Sequence, residues 1–196
     1  MTEQPRVSLV NLPNALTVLR LILVPVFLLA LFAGGGHQVS FRWLAWAIFA
    51  AAAITDRFDG HIARKRGQVT DFGKIADPMA DKALTGSALI GLSMLDDLVW
   101  WVTIVILVRE IGITLLRFAV LRYGVIAASP GGKAKTLVQI LAIGLYVLPL
   151  PPGLHWIGVS FMVAAVILTV VTGVDYLARA AALVSKPRNQ STETSR

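Results

Sequence analysis

The sequence predicts an all-α polytopic membrane protein, with six transmembrane helices around a polar cavity that faces the cytoplasm. Three observations carry that prediction. Hydrophobic residues make up 56% of the chain and charged residues only 15%. The apolar residues lie in six runs approaching membrane length, about 20 residues for a helix that spans a bilayer, parted by short turn-forming stretches. The charges are gathered rather than scattered: of the 18 Lys and Arg residues, all but Arg42 fall at one end of these runs or in the halves facing it.

Residues 1 to 12 are polar but carry Val7, Leu9, Val10 and Leu12, which suits a short interfacial lead-in. The first span runs from Pro13 to Ala33, polar at Asn14, Thr17 and Arg20, then purely apolar from Leu21 with a tolerated Pro25. Leu21 to Leu31 ahead of Ala33-Gly34-Gly35-Gly36 would also serve as a signal-peptide core. The span reading is preferred, because Asn14, Thr17 and Arg20 share a helical face and extend the segment to full length. Gly34 to Arg42 is a polar loop, and the second span opens at Trp43 and reaches about Arg64. The third runs from near Phe72 to Leu95, Asp96-Asp97 turns the chain, and the fourth covers Leu98 to Tyr123 with Arg109, Glu110 and Arg117 inside it. Ser129-Pro130-Gly131-Gly132 ends a loop, Lys133 to Leu148 is the fifth span, and Pro149 to Pro152 breaks it. The sixth runs from about His155 to Leu183. One membrane domain over residues 13 to 184 results, followed by a polar, disordered tail over 185 to 196.

An even number of spans puts both termini on one side, and the bias of Lys and Arg makes that side the cytoplasm, at the inner membrane of a prokaryote. Net charge is +7, yet no basic stripe with interleaved aromatics suggests nucleic acid. Cysteine is absent, which excludes disulfides, zinc-thiolate sites and thiol nucleophiles.

The chemistry concentrates between Asp56 and Asp81. At 3.6 residues per turn, Asp56, Asp59, Gly60, Ala63 and Arg64 fall within roughly 140° of one helix face. Gly73, Asp77 and Asp81 stack at i, i+4 and i+8 on the next helix, and Gly67 to Thr70 can turn the chain between them. Four carboxylates would then converge, and two of them ~4 Å apart repel by roughly 4 kcal/mol at an effective dielectric of 20. Protonation or bound cations must relieve that. All-oxygen ligands suit Mg²⁺ or Mn²⁺, and four carboxylates can hold two such ions. Gly60 and Ala63 leave the helix surface bare for a bulky ligand, and Arg64 can meet a phosphate. A mere interhelical loop with incidental salt bridges is the bland alternative, disfavoured because charges within membrane-length segments are expensive.

The spacing D-x2-D-G-x2-A-R-x8-G-x3-D-x3-D, met at every fixed position by Asp56, Asp59, Gly60, Ala63, Arg64, Gly73, Asp77 and Asp81, resembles the signature of the CDP-alcohol phosphotransferases. The resemblance implies a membrane enzyme that uses two divalent metals and displaces CMP from a CDP-linked donor with the hydroxyl of an alcohol. It also implies that Asp56, Asp59, Asp77 and Asp81 hold metal, that Asp81 is in addition the catalytic base, and that Gly60, Ala63 and Arg64 meet the CDP moiety, with Gly73 and Thr17 grouped with them. Related members are homodimers, so a homodimer is expected.

Arg109, Gly112 and Arg117 share a broad face of the fourth span, and Lys133, Lys135 and Gln139 start the fifth. Together these cations could form a pocket for an acceptor that carries its own phosphate. The alternative is that Arg117, Arg122, Lys133 and Lys135 meet anionic lipid headgroups; it is preferred for Arg122, and the pocket for Arg109. Glu110 and Arg117 could pair structurally. Arg109-Glu110, Arg117, Gly132-Lys133-x-Lys135-Thr136-x-x-Gln139, Asp77-Pro78-x-Ala80-Asp81-Lys82 and Asn14-x2-Thr17-x2-Arg20 resemble the phosphatidylglycerophosphate synthase branch, which implies CDP-diacylglycerol as donor and glycerol 3-phosphate as acceptor in phospholipid biosynthesis. The Asp-Pro-x-Ala-Asp-Lys element is similar in cardiolipin synthases, so phosphatidylglycerol, inositol phosphate or another alcohol remains open as acceptor. Asp175 and Arg179 read as an i, i+4 ion pair, and Trp43, Trp100, Trp101 and Trp156 as interface anchors. Outside the family, a divalent-cation transporter is the rival, since intramembrane acids also mark ion paths. It would want polar groups continuing to the far side, whereas the outer halves of the spans lack charges.

Overall fold

The computed structural model describes residues 12–66, 71–120 and 130–185. These residues form six α-helices and two short 3₁₀ turns, with no strand among them. The helices are α1 (Leu12–Phe32), α2 (Val39–Arg66), α3 (Asp71–Met94), α4 (Trp100–Val120), α5 (Pro130–Val147) and α6 (His155–Ser185). Each of the six runs read from the sequence forms one helix, with boundaries displaced by a few residues. The interfacial lead-in and almost all of the C-terminal tail lie outside the described residues.

Two segments, Ala15–Gly36 and Pro152–Ser185, are long and apolar enough to cross a membrane, and Val39–Thr55 is a shorter apolar stretch. The other helices carry charge, such as Arg109 and Glu110 in the middle of α4 with Arg117 in its last turn, or Lys133 and Lys135 early in α5, which lowers their hydropathy without shortening them. Large apolar side chains cover the outside of the bundle. Leu29, Val108, Leu115, Phe118, Ile167 and Val171 are all more than half exposed, which in water would be an aggregation hazard and in lipid is simply a wetted surface.

The centre of the packing is α3, which touches α1, α2, α4 and α5, while α5 and α6 form a tight hairpin and α6 closes against α4. Small residues let α3 take that place. Gly91 lies so near α1 that a methyl group there would sit 2.8 Å from Leu31 Cδ2, the close-approach device of packed membrane helices. Around it Phe27, Leu31, Phe49, Leu84, Leu89, Leu92, Ile106 and Ile143 are buried into one core. The α3–α4 seam is pinned by Ser93, whose hydroxyl donates to Thr103 Oγ1 at 2.7 Å while Thr103 donates to the Leu89 carbonyl at 3.2 Å.

Three turns gather at one end of the bundle, and Arg42 clasps them. Because α2 begins at Val39, Arg42 lies inside the helix rather than in the loop before it. Its guanidinium donates through Nε to the Gly36 carbonyl, through Nη1 to the Tyr146 carbonyl at 3.3 Å, and through Nη2 to the Asp97 carboxylate. Gly36 has φ of 81°, and a side chain there would run into Leu95. Only glycine can turn the chain this tightly against the α3 end. Trp43, Trp100, Trp101 and Trp156 are exposed around the same end, as indoles at a lipid–water boundary are.

Candidate active site

The other end of the bundle holds the polar residues. All eight motif positions fall on the adjoining halves of two consecutive helices: Asp56, Asp59, Gly60, Ala63 and Arg64 in the last part of α2, and Gly73, Asp77 and Asp81 in the first part of α3. Helix α2 continues unbroken through residues 56–66, so the i, i+3 spacing of Asp56 and Asp59 is a helical spacing. The side chains of these eight residues lie outside the described residues, as does the turn at 67–70.

What surrounds them is described, and it is unusually polar for a bundle interior. Thr17 and Arg20 of α1 are each only 1% exposed and share a helix face three residues apart. Thr85 on α3, Lys135 and Gln139 on α5, and Thr169 and Thr172 on α6 are also buried. A guanidinium or ammonium taken out of water must be hydrogen-bonded and charge-compensated. Burying several in one region is affordable only if that region is built for anions.

Glu110 of α4 is the hub. Its Oε2 accepts from Lys82 Nζ of α3 at 3.2 Å, and its Oε1 meets Lys135 Nζ of α5 and lies 3.6 Å from Arg109 Nη1. Arg109 in turn donates from Nη2 to Thr172 Oγ1 of α6 at 2.8 Å. Four helices are thereby joined by one charge network. Its first cation, Lys82, is the chain neighbour of Asp81.

Of the four cations expected to hold an acceptor phosphate, the structure brings two together. Arg109 and Lys135 share Glu110, whereas Arg117 and Lys133 are exposed on their helices. Arg117 lies with its Cζ 5.9 Å from the centre of the Tyr176 ring, a cation–π contact. The expected pairing of Glu110 with Arg117 gives way to this arrangement. Two turns separate those residues along α4, and lysines from α3 and α5 reach the carboxylate first. The Asp175–Arg179 pair is present at 3.0 Å, on the exposed flank of α6.

The sequence marks Lys82 only as the end of the Asp-Pro-x-Ala-Asp-Lys element, with no role of its own, and gives no place in this region to Thr169 and Thr172. For Lys82 the signal was its place beside Asp81. Thr172 offered none, because a threonine in an apolar helix can close its own hydrogen bond on the preceding turn, as Thr172 also does by donating to the Leu168 carbonyl at 2.6 Å. Four buried polar atoms here have no hydrogen-bond partner among the described residues: Arg109 Nε, Gln139 Oε1, Thr169 Oγ1 and Tyr176 Oη. Buried polar atoms are normally paired, so unpaired ones in a charged cluster mark places for a ligand or water.

Between α2 and α5 runs an apolar groove of about 400 Å³ lined by Trp46, Phe49, Ile54, Ile140, Gly144 and Leu148 among others. It ends at Ile54 and Thr136, two residues from Asp56 and one from Lys135 in the chain. Oily groove and charged cluster thus adjoin.

The family model for CDP-alcohol phosphatidyltransferase matches residues 10–171. A Mycobacterium tuberculosis protein named probable phosphatidylglycerophosphate synthase is 65% identical over 175 residues, covering 89% of this chain and 84% of the relative. The CDP-diacylglycerol–glycerol-3-phosphate 3-phosphatidyltransferase of Bacillus subtilis is 40% identical, over 86% of this chain and 94% of its own length. That of Rickettsia felis is 37% identical, over 85% and 93%.

Proposed function

The chain belongs to the CDP-alcohol phosphatidyltransferase family, and from that premise we propose that it transfers the phosphatidyl group of CDP-diacylglycerol to glycerol 3-phosphate, releasing CMP. The observation that carries the acceptor assignment is that Lys82, the chain neighbour of the last motif aspartate Asp81, shares the Glu110 carboxylate with Lys135 and Arg109. An acceptor held by its own phosphate needs fixed cations within reach of the reacting hydroxyl, and this cluster supplies them.

Members of this family are metal-dependent phosphatidyltransferases, and the donor set fits hard divalent ions. Asp56, Asp59, Asp77 and Asp81 offer only oxygens, on adjoining helix ends, with no histidine or cysteine at matching spacing. We assign Mg²⁺ or Mn²⁺, two ions, to these four residues. Bound there, the ions would neutralise the pyrophosphate and acidify the attacking hydroxyl.

The residues of the chain do the rest. Gly60, Ala63 and Gly73 keep the helix surfaces bare for the CDP moiety, with Arg64 on its phosphates and Thr17 beside it. Arg109 and Lys135, backed by Arg117 and Lys133, hold the acceptor phosphate. Asp81 takes the proton of the acceptor hydroxyl. The freed oxygen forms a bond to the phosphorus that bears diacylglycerol. The bond from that phosphorus to the bridging oxygen breaks, and its electron pair leaves with CMP. The donor's acyl chains stay among lipid tails, alongside the groove between α2 and α5.

In the membrane we read all six helices as spans of one domain over residues 13–184. The acidic motif and both termini then face the cytoplasm, and the protomer pairs as a homodimer. A cation transporter would need a polar path to the far end. Among the described residues that end is closed by Arg42 and Asp97, each satisfied by the other.

One assay tests the reading. Purified protein with CDP-diacylglycerol, Mg²⁺ or Mn²⁺ and a panel of acceptors should release CMP with glycerol 3-phosphate, not with glycerol, and EDTA should abolish the release until metal is restored. Equal turnover of unphosphorylated glycerol would sink the acceptor assignment. Full activity in excess EDTA would sink the metal site. CMP release with phosphatidylglycerol or inositol phosphate alone would move the chain to another acceptor class.

A further inference from the structure

We infer that Glu110 is a positioning residue for the acceptor, a carboxylate that touches no substrate but presets Lys135, Arg109 and Lys82 so that the acceptor phosphate meets an ordered cationic site. The inference rests on the acceptor reading above and adds to it the residue that makes that site rigid.

Three observations carry it. First, Glu110 divides its two oxygens between helices: Oε2 takes Lys82 of α3 at 3.2 Å, and Oε1 takes Lys135 of α5 and faces Arg109 Nη1 at 3.6 Å. Second, the carboxylate is itself largely enclosed, its side chain being 18% exposed. Third, one carboxylate meets three cations, so removing its charge unfastens all three at once.

The alternative is that Glu110 competes with the phosphate and weakens its binding. Ordering decides between them. A lysine carries much side-chain entropy, and a ligand that must freeze it binds more weakly than one that finds it frozen. Without the Glu110 charge, two ammoniums and a guanidinium would repel one another at close range in a poorly hydrated site. At least one lysine would swing away, so removing the carboxylate gains no positive charge at the site and loses its geometry. Lys82 adds a second effect. Successive residues on a helix point about 100° apart, so tying Lys82 to α4 also fixes the rotation of α3 at Asp81.

The test is acceptor kinetics on Glu110→Gln, which keeps shape and one oxygen while removing the charge, together with Glu110→Asp, Lys135→Gln and the double variant, all in lipid nanodiscs. Loss of the charge-assisted contact should raise the KM for glycerol 3-phosphate by about ten-fold, while the KM for CDP-diacylglycerol stays within about two-fold. Glu110→Asp should recover most of the loss. Because Glu110 acts through Lys135, Glu110→Gln should add little in the Lys135→Gln background. A Glu110→Gln protein with a lowered acceptor KM, with both KM values raised alike, or with an effect fully additive to that of Lys135→Gln overturns the inference. If Glu110→Gln fails to fold, Lys82→Gln carries the test, raising acceptor KM more than donor KM, and equal effects on both count against it. Lys135→Gln alone separates the two readings. If it leaves acceptor KM unchanged, the acceptor site itself is wrong. If it raises acceptor KM while Glu110→Gln does not, only the role of Glu110 fails.

Discussion

Two partly or fully buried arginines stand at opposite ends of this bundle, and they are used in opposite ways. Arg42 gives its guanidinium to one carboxylate and two backbone carbonyls, all from turns it holds together. Arg109 gives one nitrogen to Thr172 and a longer contact to a glutamate it shares with two lysines, and its buried Nε has no hydrogen-bond partner among the described residues. A saturated charge is a fastener. A charge left partly open, at some cost in stability, is what a site looks like before its ligand arrives. Among the described residues, Arg42 and Arg109 therefore differ not in residue type but in how completely they are paired.

The sharpest way to break this comparison lies at the motif end, in the difference between Asp81 and Asp56. Asp81→Asn keeps the shape and one oxygen ligand but removes basicity. It should lose turnover by about 10²- to 10⁴-fold, the usual cost of losing a general base, while retaining metal-dependent binding of CDP-diacylglycerol. Asp56→Asn should weaken binding and turnover together. Calorimetry with the donor decides. Equal loss of binding in both variants makes Asp81 a ligand only.

The next largest effect compares the two arginines directly. Arg42→Met strands Asp97 after removing its partner, which should cost about 3 kcal/mol of stability, at the low end for a buried pair because Asp97 is partly open to solvent. Thermal unfolding in nanodiscs should register it, and neither KM should move. Arg109→Ala should do the reverse, raising the KM for glycerol 3-phosphate by about ten- to a hundred-fold with a small change in unfolding temperature. Swapped outcomes would mean that degree of pairing does not separate fastener from site.

How much of this was legible beforehand follows the same line. The six helices and the motif could be read because hydrophobic runs and fixed spacings are local properties of the chain. Arg42 was read as a lone outer charge, and Asp97 as half of a turn. Their pairing spans 55 positions and depends on α2 beginning before Arg42, which no local pattern announces. At the motif end the cations were visible, but their partner was misassigned. Glu110 was matched within its own helix to Arg117, and the packing of α3 and α5 against α4 brings Lys82 and Lys135 to it instead. An acid in the middle of an apolar helix was sufficient reason to expect a partner, though not to say from which helix.

The smallest effect is expected at His37, and it tests whether the clasp is fastened by Arg42 alone. His37 Nε2 lies 3.3 Å from Asp97 Oδ1, and Nδ1 lies 3.2 Å from the Gly35 carbonyl, but the side chain is 62% exposed. An exposed pair gains little, because water already satisfies both partners and salt screens what remains. His37→Gln keeps a hydrogen-bond donor near Asp97 and removes any charge. Its unfolding temperature should shift by no more than the equivalent of about 0.5 kcal/mol, with both KM values unchanged. Suppose His37→Gln instead destabilised the protein as much as Arg42→Met. Asp97 would then be held by the histidine as firmly as by the arginine, and the clasp end would have two fasteners where the geometry shows one saturated and one exposed contact.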